Sequence, residues 1–301
     1  MIHNLVISGG QTKTLAVIGA LVYLEEQGLL DEVTHAVGCS AGAIVCLMLV
    51  LGYRPSEMEG VINRFMIGRK RHHLNLDAML SIFEEHGLDR GENLLAFLRD
   101  VLHDKMGCVD MTFIELAKRT GRNLVVCVAN VTEQRTEYLD VDNSPDMSIL
   151  LAIRMSCSLP ILFTPVAYRG CIYADGALYE NLPIGYIDAK CSDELRDTLA
   201  ISTFTKMVPP TSLDRGGSFG AYVSFLFSSI HLKACEPRRI SPKIKVVEIE
   251  FEEDLEGTLG GVGLDFNDDE LVAFPLNSEM LKAYVRKGYE SMLPHALSGT
   301  P

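Results

Sequence analysis

Forty residues into the chain, Gly38-Cys39-Ser40-Ala41-Gly42 separates an apolar segment ending at Val37 from the apolar run Ala43-Ile44-Val45-Cys46-Leu47-Met48-Leu49-Val50-Leu51. The pattern reads as strand, sharp turn, helix. A Gly-x-Ser-x-Gly turn bends tightly enough to crowd any Cβ beside the serine, and it holds the serine Oγ at a helix N-terminus. Free amides and the helix dipole there favour the negative charge that grows during acyl transfer. The same five residues can arise by chance in a chain with 25 glycines. The flanks supply the context the motif requires: Asp31 to Val37 leads in as a short strand, and nothing polar interrupts Ala43 to Leu51. Ser40 is therefore the candidate nucleophile, with Gly38, Cys39, Ala41 and Gly42 as its elbow.

The early position of this elbow constrains the fold. His3 to Ser8 is a short apolar strand running into Gly9-Gly10, and Leu15 to Gln27 carries helix-spaced apolar residues up to Gly28. With the elbow as a second unit, residues 1–51 read as β-α-β-α, which predicts a parallel sheet. In α/β-hydrolases the elbow follows several strands and is trailed by an acid and then a histidine. Here one βα unit precedes Ser40, and the later histidines do not fit that order. His231 and His295 lack a distinctive turn context, and the other four lie between 72 and 103. This order argues against the α/β-hydrolase arrangement.

Further along, Pro55 to Gly107 reads as mainly helical, Leu124 to Val131 as a strand buried on both faces, and Thr136 to Leu139 as its hairpin partner. Ile149, Leu150, Ala152, Ile153 and Met155 suit a helix ended by Ser158-Leu159-Pro160. Cys171 to Ala174 then forms a strand leading to Asp175-Gly176. Ile244 to Phe251 reads as a strand and Ser278 to Met292 as a closing helix. No composition shift marks a boundary, so one domain over 1–301 is expected.

Two further elements carry chemistry. Asp175, at the end of a strand and before a glycine that lets the chain turn, can project its carboxylate toward the sheet edge where the elbow lies. A carboxylate beside a serine hydroxyl can act as general base without an imidazole. Taken alone, Asp175-Gly176 reads equally as an ordinary turn. Ser8-Gly9-Gly10-Gln11-Thr12-Lys13-Thr14 is a strand-to-helix loop whose amides could face an oxyanion. A phosphate loop would need glycine directly before Lys13 and again five residues earlier; Thr12 and Ile7 hold those places.

The glycine-rich loop after the first strand, the early Gly-x-Ser-x-Gly and the later Asp175-Gly176-Ala177, in that order, resemble the patatin-like phospholipase family. Leu15 to Leu21, Arg154 to Pro160 and Asn181-Leu182-Pro183-Ile184 are similar to family segments too, and together the likeness covers most of 1–185, with 186–301 less defined. The resemblance implies a three-layer α/β fold with a central, mostly parallel sheet flanked by helices. It implies a calcium-independent hydrolase of phospholipid or related acyl esters. Ser40 would form the acyl-enzyme and Asp175 would activate Ser40 and then water. Gly9, Gly10, Gln11 and Lys13 would form the oxyanion loop, and Gly176 and Ala177 the Asp-Gly-Ala motif. The loop departs from the family pattern Gly-Gly-Gly-x-Lys/Arg-Gly by placing Gln11 and Thr14 at its third and last glycines. If position 11 requires a positive φ, the strain is of order 1 kcal/mol or more. A catalytically weak or inactive lipid-binding protein of the same fold is the alternative this departure raises.

The remaining features bound partners and setting. A formal charge of −13 with no long basic face argues against nucleic acid. The eight cysteines show no Cys-x-x-Cys pair or metal-ligand spacing and read as reduced core residues. No EF-hand loop is present, and no metal or cofactor is expected. The longest apolar runs fall short of the roughly 20 residues of a spanning helix, and the start lacks a leader pattern, so a cytoplasmic protein in transient contact with membranes is expected. Arg69-Lys70-Arg71-His72-His73 reads as a solvated loop or as a contact for anionic headgroups. The apolar stripe of Ser218 to Ile230 reads as a core helix, a lid or an interfacial helix.

Overall fold

β1 (Asn4–Ile7) is buried along its whole length because both faces of its sheet are covered. Leu5 and Ile7 join a large core with the helices on one side, whereas Val6 joins Val37, Val125 and Ala200 in a second core on the other. The alternation follows from the two-residue period of a strand. The computed structural model describes residues 1–67, 72–73, 84–190, 197–206, 241–252, 270–271 and 278–295.

In chain order, β1 leads through a single 3-10 turn (Gln11–Lys13) to α1 (Thr14–Glu26), β2 (His35–Cys39), α2 (Ala41–Val50) and α3 (Pro55–Ile67). β3 (His72–His73), β4 (Gly87–Asp89), α4 (Glu92–Met106), α5 (Phe113–Thr120), β5 (Asn123–Asn130) and β6 (Arg135–Leu139) follow. Next come α6 (Ile149–Ser156), β7 (Ile161–Phe163), β8 (Val166–Tyr168), β9 (Cys171–Asp175) and α7 (Gly185–Lys190). β10 (Thr198–Lys206), β11 (Lys245–Glu252), β12 (Glu270–Leu271) and α8 (Ser278–Met292) complete the described elements.

The main sheet has the order β11-β10-β1-β2-β5-β9-β8, with β6 added to β5. Helices α1, α2, α4, α5, α6 and α8 contribute to the larger core on one face, and α7 covers the other through Tyr186 and Ile187. This is the three-layer arrangement expected of the sequence. α1 and α2 are apolar on nearly every side, as a helix enclosed between a sheet and other helices must be. Among the described residues, no helix is long and apolar enough to cross a membrane. The stripe at 218–230 and the side chains of the basic cluster at 69–73 lie outside what is described.

The sheet is parallel from β11 to β5 and antiparallel beyond. β6 takes one edge of β5 from Val126 to Asn130. β2 takes the other edge up to Cys127. β9 pairs with Val128, Ala129 and Asn130, where β6 already fills the first edge, so β9 lies on the same edge as β2 and runs toward it. Asp175 thus reaches the carboxyl end of β2 from the opposite direction, on an antiparallel strand that the sequence reading did not distinguish from a parallel one.

Candidate active site

The β2-to-α2 turn brings Ser40 out at φ 52°, ψ −127°, a left-handed conformation for a residue with a side chain. Conformations of this kind cost about 1–3 kcal/mol and persist where the surroundings over-determine them. The surroundings here do so. A Cβ on Gly38 would lie 2.5 Å from Ala43 Cα, and one on Gly42 would lie 2.5 Å from the Ser8 carbonyl oxygen. The Ser40 amide donates to Ser156 Oγ at 2.8 Å, and Ser156 Oγ–H donates to the Cys127 carbonyl at 2.6 Å. Helix α6 and strand β5 therefore hold the turn together.

Ser40 Oγ donates to Asp175 Oδ2 at 2.6 Å. The other carboxylate oxygen, Oδ1, accepts from the Ala177 amide at 2.9 Å and faces Cys39 Sγ at 3.9 Å. Gly176 passes over β5 so closely that a Cβ would sit 2.6 Å from the Cys127 carbonyl oxygen. Asp175 is 2% exposed. Burial pushes its carboxyl up to about 6, against the lowering by the Ser40, Ala177 and Cys39 hydrogen bonds. Burial, reinforced by Cys127, holds the Cys39 thiol well above the ordinary thiol range. It is thus a neutral neighbour of the carboxylate.

The glycine loop lies against the same point. A Cβ on Gly9 would approach Ser40 Cβ to 3.2 Å. Gln11 has φ 51°, so the chain adopts the positive φ that its missing glycine would have eased. The Gly10 and Gln11 amides donate to none of the described residues. Lys13 extends toward β11 and α8, where its ammonium stands 5.9 Å from the Phe251 ring centroid, a ring that Lys287 also approaches at 5.2 Å. Of the residues singled out in the sequence, Ser40, Asp175, Gly9, Cys39 and Gly176 converge.

Ser156 escaped the sequence reading as an individual residue. It ends α6 directly after the buried Met155 and is itself fully buried, a placement the sequence does not disclose. The same holds for Thr203, on the sheet beside Gly9.

Among the described residues, no group of three His, Cys, Asp or Glu side chains could hold a metal ion. The six described cysteines are free thiols, four of them buried and two, Cys108 and Cys171, half-buried.

Residues 5–188 match the family model described as patatin-like phospholipase. A "Probable lipid hydrolase 463L" of Invertebrate iridescent virus 6 is 32% identical over 186 residues, which cover 60% of this chain and 61% of that protein. "Triacylglycerol lipase 5" of Saccharomyces cerevisiae is 32% identical over 170 residues, covering 53% of this chain and 22% of that protein. The chain thus spans less than two thirds of the length of these curated relatives. Among solved structures, VipD from Legionella pneumophila aligns over 97% of this chain and 66% of its own with a TM-score of 0.54, at 16% identity. ExoU in its heterodimeric complex with SpcU from Pseudomonas aeruginosa aligns over 98% of this chain and 51% of that one, with a TM-score of 0.50 and 16% identity. These two likenesses concern the fold.

Proposed function

The chain belongs to the patatin-like phospholipase family, and from that membership and the Ser40–Asp175 contact we propose that it is a serine acyl hydrolase of phospholipid or related acyl esters. The single observation that carries this reading is the 2.6 Å hydrogen bond from Ser40 Oγ to Asp175 Oδ2 at the mouth of a strained elbow.

In this reading Ser40 Oγ attacks the ester carbonyl carbon while its proton passes to Asp175 Oδ2. A carboxyl held near 6 is ionised at neutral pH yet basic enough to take that proton. The carbonyl oxygen becomes an oxyanion facing the Gly10 and Gln11 amides. The C–O bond breaks, the leaving alkoxide takes the proton back from Asp175, and the acyl group stays on Ser40. Water then gives a proton to Asp175 and attacks the acyl carbon. Ser40 departs as the alkoxide, recovers the proton, and the free acid leaves. Every proton and bond is accounted for by the chain's own groups and water, so the proposed cycle calls for no calcium.

The absence of glycine at position 11 motivates the second reading, a lipid-binding protein with little turnover. The φ of 51° at Gln11 is strained for a residue with a Cβ, yet it lies in the region a glycine enters freely, so the glutamine itself does not bar a glycine-like loop. A fluorophosphonate probe distinguishes the two. The hydrolase becomes labelled at Ser40 and releases product from a short-chain nitrophenyl ester, whereas the binding protein takes up acyl chains without labelling.

A further inference from the structure

The Gly9–Gly10 peptide is gripped from outside its own loop. The Gly9 amide donates to the Asn181 carbonyl at 3.1 Å, and the Gly9 carbonyl accepts from Asn181 Nδ2 at 3.2 Å and from Thr203 Oγ1 at 3.4 Å. Asn181 thus meets one glycine with both its main chain and its side chain. The side-chain orientation follows from chemistry, since only the NH₂ can face a carbonyl oxygen. Asn181 is 0% exposed, and its Oδ1 has no partner among the described residues. Leaving a buried acceptor unpaired is unfavourable, so the placement of this side chain calls for a reason other than stability.

The same two residues explain which glycines this loop keeps. A Cβ at position 9 would lie 2.6 Å from Asn181 Oδ1, and one at position 10 would lie 2.2 Å from Thr203 Oγ1. Both would push away the donors on the Gly9 carbonyl. At Gly10, where φ is 177° and ψ 9°, crowding by Thr203 bars a side chain. Position 11 stands beyond the grip and has accepted a glutamine.

The described peptide bonds are all trans. In a trans peptide the C=O of one residue and the N–H of the next point in opposite directions. Anchoring the Gly9 carbonyl on Asn181 and Thr203 therefore turns the Gly10 N–H away from them, on a loop whose preceding Cα faces Ser40.

We propose that Asn181, assisted by Thr203, is a positioning residue that sets the Gly9–Gly10 peptide plane and so aims the oxyanion-binding amide of Gly10. Asn181 follows Asp175 by six residues in one short segment, which is fixed to β5 where Cys127 Sγ faces the Glu180 carbonyl at 3.6 Å. The general base and the support of the oxyanion loop are thus carried by one stretch of chain. The assignment rests on the hydrolase reading for its catalytic meaning, while the grip itself is testable without turnover.

The test compares Asn181→Ala and Thr203→Val with the parent on a short-chain nitrophenyl ester. Loss of one oxyanion donor lowers turnover by roughly 10²–10³. The expected result for Asn181→Ala is a fall in kcat in that range with KM and the acid limb of the pH profile unmoved. Thr203→Val, which removes the longer bond, should fall by a smaller factor of the same kind. A kcat within twofold of the parent in both variants overturns the assignment. So does a loss of activity that brings a shifted pH limb, since that would mean Asp175 had moved. If the parent shows neither turnover nor probe labelling, the hydrolase reading fails on its own. The carbonyl carbon shift of Gly9, which moves upfield when the oxygen loses a donor, then decides the grip: an upfield move in Asn181→Ala supports it and an unchanged shift overturns it.

Discussion

Cys39 and Asp175 occupy successive register positions along one edge of β5, opposite Cys127 and Val128. They belong to strands that approach each other end to end. Cys39 closes β2 just before the elbow lifts Ser40 away, and Asp175 closes β9 just before Gly176 crosses over β5. Ser40 and Asp175, 135 residues apart in sequence, are therefore brought within a hydrogen bond by the sheet register.

Because the hydroxyl and the carboxylate act as one unit in the proposed cycle, removing either should cost nearly all of the activity. Ser40→Ala and Asp175→Asn are each expected to lower kcat by about 10⁴-fold or more, with a double variant little worse than either single one. Steady-state hydrolysis of a nitrophenyl ester reads the loss. Independent, multiplicative effects would mean that the pair does not act together.

In the proposed cycle Asp175 must be ionised to take the proton, and burial holds its carboxyl up to about 6. The rate kcat/KM should therefore rise about tenfold per pH unit below 6 and level off above 7. A carboxylate at its ordinary value would place that bend near 4. A profile flat from pH 4.5 to 8 would remove Asp175 from the role of base.

The same shift makes the site a stability liability. The folded carboxyl holds its proton more tightly than the unfolded one, so between about 4 and 6 the folded state binds more protons, and stability falls as pH rises through that window. Above it, the ionised buried group weakens the fold by about 3 kcal/mol at 1.36 kcal/mol per pH unit. Asp175→Asn should then be inactive yet more stable than the parent, by about 1–3 kcal/mol at pH 7.5 and by close to nothing at pH 4. Urea unfolding at the two pH values measures this, and equal stability at pH 7.5 would contradict it.

Much of this arrangement was legible in the sequence because it was local. The elbow, its apolar helix and the strand at Leu124 to Val131 each announce themselves through spacing and burial pattern. Asp175-Gly176 could be picked out as well, but not that β9 runs antiparallel and shares an edge of β5 with β2, because register between distant segments leaves no trace in either one. Ser156 and Thr203 were hidden for a related reason. Their roles consist of bonds to Ser40 and Gly9 formed across the fold, and a buried hydroxyl looks the same in sequence whether it holds a nucleophile or merely fills space. By sequence, Gln11 is a fit donor only if its φ suits a residue with a Cβ; the φ of 51° is the strained case.

Ser156→Ala tests the bond that holds the elbow. The variant leaves the Ser40 amide buried without its 2.8 Å acceptor, and an orphaned buried donor costs about 1–3 kcal/mol. The elbow is already strained, so part of that energy should appear as relaxation of Ser40 away from Asp175. We expect lower stability together with slower fluorophosphonate labelling. Loss of stability with labelling at the parent's rate would make Ser156 a packing residue only.

Gln11 separates the contribution of the side chain from that of the amide. Its φ of 51° is one that a residue with a Cβ adopts at a cost of about 1–2 kcal/mol. Gln11→Gly relieves that strain but gives the unfolded chain more freedom, worth about 0.4–1 kcal/mol in the opposite direction. The net expectation is a stabilisation of between nothing and about 1.6 kcal/mol, with turnover no lower than the parent's, because the N–H stays where the backbone puts it. Gln11→Pro does the reverse. Proline fixes φ near −65° and has no N–H, so it removes the donor and redirects the loop, and turnover should fall by at least the roughly 10²–10³ of a lost oxyanion donor. Thermal unfolding and ester hydrolysis on the two variants read both effects. If Gln11→Pro remained folded and as active as the parent, the oxyanion would have to be held by other groups, and Gln11 would be a tolerated irregularity in the loop.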